Sequence, residues 1–228
     1  MIVPDALTPL THDDLIAALR DGYVVTFGRA ALPGELAVYY GQCILENGAR
    51  LQAVHCFNLG NVKATATWAG DVCAYACDET VDAATARVVA AFGPCECHPQ
   101  AAGRVRLVLT PPHPWCNFRA FGSAGAGAAA YLALFAWRRY AQAALRARAG
   151  DAAGFVAAAH AGGYFTAPDV GAYQRAVASI AAHALDACRA ALAPTAGTVP
   201  PALDVDAIMG LVALTAAGTA HGEEGAPP

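Results

Sequence analysis

Charge is scarce in this sequence. Only 14% of its 228 residues are Asp, Glu, Lys or Arg, and the formal net charge is −4. The one dense basic cluster, Arg138, Arg139, Arg146 and Arg148, reads as a solvated helix face, so nothing offers the positive stripe that a nucleic-acid backbone requires. Long apolar runs are missing too. The longest, around 124–136, falls well short of the roughly 20 residues that span a bilayer and ends at Trp137-Arg138-Arg139, so no membrane insertion is expected. The opening MIVPDALTPLTHDD carries no basic stretch, no apolar core and no small-residue cleavage site, which predicts no secretory signal. No internal repeat is visible, and no cofactor is expected.

What is present is apolar surface to bury. Hydrophobic residues make up 57% of the chain, enough for a full core, and alanine far outweighs the β-branched types, a balance that favours helices. The expected fold class is α+β, mostly α. Thr11 with Asp14 three residues on opens a helix, HDDLIAALRDG, expected to end at Gly22. ELAVYYGQCILENG is apolar around most of its circumference and predicts a central buried helix. From about 61 to 121 the helical period fades, and β-prone runs such as AGDVCAY, RVVAAF and RVRLVLT predict a small β lobe with a loop through CECHPQ. Helices return in GAGAAAYLALFAWRRYAQAALRARAG, DAAGFVAAAHAGG and DVGAYQRAVASIAAHALDACRAAL. Residues 1–192 are expected to form one domain with a cleft between its lobes. Residues 193–228 read as a linker, a short helix DVDAIMGLVALTAA and a disordered tail.

Eight cysteines are many for a chain of this size and are read as free thiols or as disulfides whose pairing cannot be read from sequence. A zinc set of Cys73, Cys77, Cys95 and Cys97 is the alternative, although Cys-x-Cys is not the spacing of a common zinc module. His55 with Cys56, and His113 with Cys116, raise a further possibility, a cysteine nucleophile.

One carboxylate stands out. Glu46 falls in the last turn of the central helix, where the partial negative charge of the helix end opposes ionisation of its side chain. If Leu45, Phe57 and Leu59 also strip it of water, it becomes a group able to give a proton to a leaving oxygen. The ordinary alternative is a surface residue at a helix end.

The surroundings of Glu46 carry a resemblance. Gln42-x-x-Leu45-Glu46-x-Gly48, then Phe57-Asn58-Leu59-Gly60-Asn61-x-Lys63-Ala64, then Phe118-Arg119-Ala120-Phe121, then His160-Ala-Gly-Gly-Tyr164-Phe-Thr-Ala-Pro-Asp169 and Ala172-Tyr173 occur in that order. This series resembles the bacterial glucosaminidases of glycoside hydrolase family 73, lysozyme-like peptidoglycan hydrolases, over about residues 30–188. The resemblance implies a two-lobed fold in which Glu46 is the general acid, with Gln42, Asn58, Gly60, Asn61, Tyr164 and Tyr173 lining the substrate cleft. It places Glu79 at the position of a second catalytic carboxylate, with Asp78 or Asp71 as alternatives and the substrate's own acetamido group as another. The implied partner is the peptidoglycan glycan strand, cut at the β-1,4 bond on the glucosaminyl side, with a muramidase or a non-catalytic wall-binding module as alternatives. The implied place of action is the cell wall, whether periplasmic, extracellular or on a virion.

Overall fold

The computed structural model describes residues 1–165 and 169–193, and the expected helix DVDAIMGLVALTAA and the tail lie outside the described residues. The fold is α+β and mostly α: seven α-helices among the described residues surround a core of aliphatic and aromatic side chains, with two small antiparallel sheets set to one side.

Helix α1 spans His12–Phe27, with the expected capping box: Thr11 accepts from the Asp14 N–H while Asp14 accepts from the Thr11 N–H, both at 3.1 Å. It does not stop at Gly22. That glycine is a contact rather than a terminator, because a Cβ there would lie 2.8 Å from the Ala129 backbone nitrogen; α1 therefore runs against α4 and ends at Gly28, which takes the left-handed conformation.

Helix α2, Pro33–Asn47, begins with a proline whose missing N–H costs nothing at that position. As expected it is buried on nearly every side, packed along α7 (Val170–Leu192) and flanked by α1 and α5. The continuous helix expected over 125–150 is instead α4, Ala124–Leu134, a 3-10 turn, and α5, Ala141–Arg148. The break lets Phe135 and Tyr140 both reach the core, their ring centroids 5.8 Å apart, and Phe135 also meets Phe155 of α6 (Ala152–Ala161) at 5.1 Å. Side-chain burial has overridden local helix propensity.

The β lobe holds β1 (Val72–Ala74) paired with β5 (Asn117–Arg119), and a second sheet in which β4 (Arg104–Leu109) lies between β2 (Cys77–Asp82) and β3 (Cys95–Pro99). Two readings are corrected here. RVVAAF is not a strand: residues Ala83–Ala90 form α3, because Asp82 accepts from the N–H groups of Ala84 and Thr85, both at 2.9 Å, and an N-cap of that quality outweighs β propensity. CECHPQ is not a loop: it supplies β3, in register with β4 through Cys97 and Leu107. No described helix is long and apolar enough to cross a membrane.

Candidate active site

A cleft of about 230 Å³ opens between the C-terminal end of α2 and the β lobe. Glu46 reaches it from the helical side, Glu79 from the β side. Both carboxylates expected in the site therefore face one cavity, but their environments differ.

Glu46 is half-buried in the last turn of α2. Its Oε1 accepts a 2.5 Å hydrogen bond from the Tyr173 hydroxyl on α7. Burial, with the Glu46 charge beside it, pushes the Tyr173 phenol well above its ordinary range, so Tyr173 stays protonated and remains a donor. The tyrosine ring is stacked on Phe165, centroids 4.3 Å apart, and its oxygen is met from below by the Gln42 amide at 3.5 Å. Asn61 fixes the backbone: its amide donates to the Glu46 carbonyl at 3.0 Å, an acceptor that the helix end leaves open. The acid candidate is thus held at both its side chain and its main chain.

Glu79, on β2, is 4% exposed and lies 2.8 Å from Lys63 Nζ. Lys63 is the only lysine in the chain. Its ammonium also donates to the Trp115 carbonyl at 2.7 Å and to Cys77 Sγ at 3.3 Å. Burial opposes the lysine charge, but the Glu79 carboxylate and the Cys77 sulfur together outweigh it and hold the ammonium above its ordinary value. Asp78 also lines the cleft, exposed and paired with Arg106, whereas Asp71 sits on the surface near the N-terminal ammonium, 3.4 Å away, and is not among the lining residues.

One wall is a column of stacked groups. His55 stacks on Tyr75 with centroids 4.0 Å apart, Tyr75 on Phe118 at 4.0 Å, and Lys63 Nζ lies 4.4 Å from the Phe118 centroid. Tyr75 also donates to Asn61 Oδ1 at 3.3 Å, which links this wall to the residue clamping Glu46. Three non-glycine residues of the loop beneath, Cys56, Phe57 and Asn61, have left-handed backbone, strain that the surrounding hydrogen bonds must hold in place.

The other expected contacts lie lower. Gln42 is fully buried behind Tyr173, and Asn58 is 1% exposed, its side chain bonded to both the N–H and the carbonyl of Val62. Gly60 is packed beneath the rings of Tyr131 and Tyr164, and Tyr164 donates to its carbonyl at 3.3 Å. These four support the cleft from within; a sugar could touch them only if the loop moved. Sequence reasoning missed Tyr75 as a wall residue. The one available signal was its alternation with Cys73 and Cys77 in DVCAYAC, although Tyr75 lies between β1 and β2 rather than on either strand.

The cysteine readings narrow. All eight are free thiols, with no disulfide at bonding distance. Cys73, Cys77, Cys95 and Cys97 do not converge on a metal site, because among the described residues the one cluster with metal-ligand spacing is Asp5, Cys56 and Cys73. The nucleophile idea fails on geometry. Cys56 Sγ is turned to the Pro4 carbonyl at 3.7 Å while the His55 ring lies stacked on Tyr75, and both nitrogens of His113 are taken by backbone groups of Trp115 and Val89.

No protein-family model and no curated protein matches the chain. Among solved structures it is similar to the C-terminally truncated glycoside hydrolase domain from Salmonella typhimurium FlgJ, at 19% identity, with 76% of this chain and 97% of that one covered and a TM-score of 0.44. The chemistry is therefore read from this chain's own residues.

Proposed function

We propose that the protein is a peptidoglycan hydrolase that cleaves the β-1,4 glycosidic bond of the glycan strand as an endo-β-N-acetylglucosaminidase. The observation that carries the reading is Glu46: a half-buried carboxylate at the closing turn of the central helix, at the edge of an inter-lobe cleft, held by Tyr173 through its side chain and by Asn61 through its carbonyl. The ordered series of motifs around it supplies the substrate class.

In this reading Glu46 gives its proton to the glycosidic oxygen as the C–O bond breaks, and positive charge develops on the sugar ring. Tyr173 and Asn61 keep the carboxyl in place, so the reacting atoms start near their productive distance. Tyr75 and Phe118 stiffen the cleft wall rather than stack on a sugar, because His55 and Phe118 cover both faces of Tyr75 and Phe118 is itself buried. Glu79 acts as the second carboxylate through its field, opposite Glu46. One of its oxygens is committed to Lys63 and little of it is exposed, so it has scant surface for a water molecule. As the glycosidic C–O bond breaks the substrate's acetamido oxygen bonds to the ring carbon, and water then opens the resulting intermediate while its proton returns to the Glu46 carboxylate. The partner is the glycan strand and the place of action the cell wall; residues 1–192 suffice as one catalytic domain.

The test is mass spectrometry of fragments released from purified peptidoglycan after borohydride reduction. Reduced N-acetylglucosaminitol ends are expected. Reduced muramitol ends would make the protein a muramidase on the same scaffold, and an absence of new ends from folded protein would leave a wall-binding module.

A further inference from the structure

We propose that Cys56 and Cys73 are a disulfide site that locks the loop forming the cleft floor. The ligand atoms of Asp5, Cys56 and Cys73 all lie within 4.8 Å of one another, and the two sulfurs are buried, the residues being 6% and 0% exposed. Both backbones are already pinned. Cys56 donates to the Ala6 carbonyl at 2.8 Å and accepts from the Phe121 N–H at 2.9 Å, while Cys73 sits in register with Phe118 in the β1–β5 pair. The sulfurs share one apolar cluster with Phe118 and Ala120. To close the remaining gap to the roughly 2.05 Å of an S–S bond the side chains must turn toward each other, with Cys56 Sγ leaving the Pro4 carbonyl that it contacts at 3.7 Å.

The segment between the two cysteines carries Asn61 and Lys63, which line the cleft, and Asn58 and Gly60, which support it from within. It also carries left-handed backbone at Phe57 and Asn61, beside that of Cys56 itself. A covalent tie across its ends restricts the unfolded chain and holds that strained conformation.

Three of the other thiols are less suited. Cys77 donates to the Trp115 carbonyl at 3.5 Å and accepts from Lys63 at 3.3 Å, so it belongs to the buried ion-pair network. Cys95 and Cys97 are 3.8 Å apart but two residues apart on one strand, where a bond would close almost no chain. A metal on Asp5, Cys56 and Cys73 would draw only three converging ligands, short of the four a structural zinc takes.

The chemistry is thiol–disulfide exchange with a small disulfide oxidant such as oxidised glutathione. The Cys56 thiolate, the more exposed of the two, attacks one sulfur of the oxidant, forming a mixed disulfide and releasing one glutathione thiolate. Cys73 then gives its proton to solvent and attacks Cys56 Sγ, and the second glutathione leaves. Two protein thiols are oxidised and one glutathione disulfide is reduced to two thiols. Burial, with the Cys56 sulfur beside it, pushes the Cys73 thiol up, so closure is faster while the chain folds than afterwards.

The site does not depend on what the cleft cleaves, and its test needs no activity assay. The full chain is refolded in a mixture of reduced and oxidised glutathione, alkylated under denaturing conditions, digested and mapped. The expected result is a linked pair of peptides containing Cys56 and Cys73, a mass about 2 Da below the reduced chain, and a Tm roughly 5–10 °C higher that dithiothreitol reverses. Cys56→Ser removes that shift, and Cys95→Ser retains it. Complete alkylation of both Cys56 and Cys73 after the oxidising refold overturns the proposal, as does stoichiometric zinc bound to unlinked thiols.

Discussion

Two carboxylates meet across one cleft, and the lobes that carry them treat them differently. The helical lobe places Glu46 at a helix end, half-buried, and presents it with the hydroxyl of Tyr173. The β lobe places Glu79 in the middle of a strand, almost fully buried, and matches it with the only lysine in the chain. A buried charge without a partner is costly, so Lys63 and Glu79 require each other. A reacting acid, by contrast, must be able to exchange its proton, which a neutral donor that never ionises near neutral pH permits. In the proposed reaction Glu79 with Lys63 is thus the fixed charge of the cleft, acting only through its field, and Glu46 the group that exchanges its proton.

That distinction can be broken most forcefully at the lysine. Lys63→Met leaves Glu79 buried and unpaired, and should cost about 3–5 kcal/mol, a Tm fall of roughly 6–20 °C in thermal denaturation. The double variant Lys63→Met/Glu79→Leu should recover much of that loss, because an apolar pair of similar volume removes the orphaned charge. If the double variant melts as low as the single one, the ion pair is not what ties the two residues together.

A smaller effect is expected at Tyr173. Tyr173→Phe keeps the stack on Phe165 and loses only the hydroxyl that holds Glu46, so kcat on soluble glycan fragments should fall about tenfold with KM little changed. A rise in KM at constant kcat would instead make Tyr173 a substrate contact.

The mildest prediction concerns alkaline pH. Lys63 is held above its ordinary value, so its contribution to stability is fully present below the usual lysine range and disappears as pH rises through the raised value. Tyr173, likewise raised, resists deprotonation and loses its contribution over the same alkaline window. Stability set by these two groups should be flat from pH 6 to about 9 and decline only above about 10. A decline beginning near neutrality would point to a different group.

Much of this contrast was legible before the structure, because its parts are local. The capping box at Thr11 and Asp14, the apolar circumference of α2 and the place of Glu46 near its end each depend on residues a few positions apart. What was illegible depends on partners distant in sequence. Gly22 reads as a helix end unless one knows that α4 crosses it. RVVAAF is a miss of another kind, because the Asp82 cap that makes it helical is adjacent in sequence and was legible there. The bond from Tyr173 to Glu46 joins residues 127 positions apart, so only the motif series hinted that they share a site. Gln42 and Asn58 were placed within the right neighbourhood but at the wrong depth, since sequence spacing shows which residues come near a cleft and not which of them reach its surface.

The most direct test of the central claim is the rate at which new reducing ends appear from purified peptidoglycan with Glu46→Gln, on protein whose thermal melt matches wild type. The neutral amide fits the same space and keeps Tyr173 as a partner, but cannot deliver a proton, so the rate should fall about 10³-fold or more. A folded Glu46→Gln variant that releases ends as fast as wild type would contradict the assignment of Glu46 as the acid.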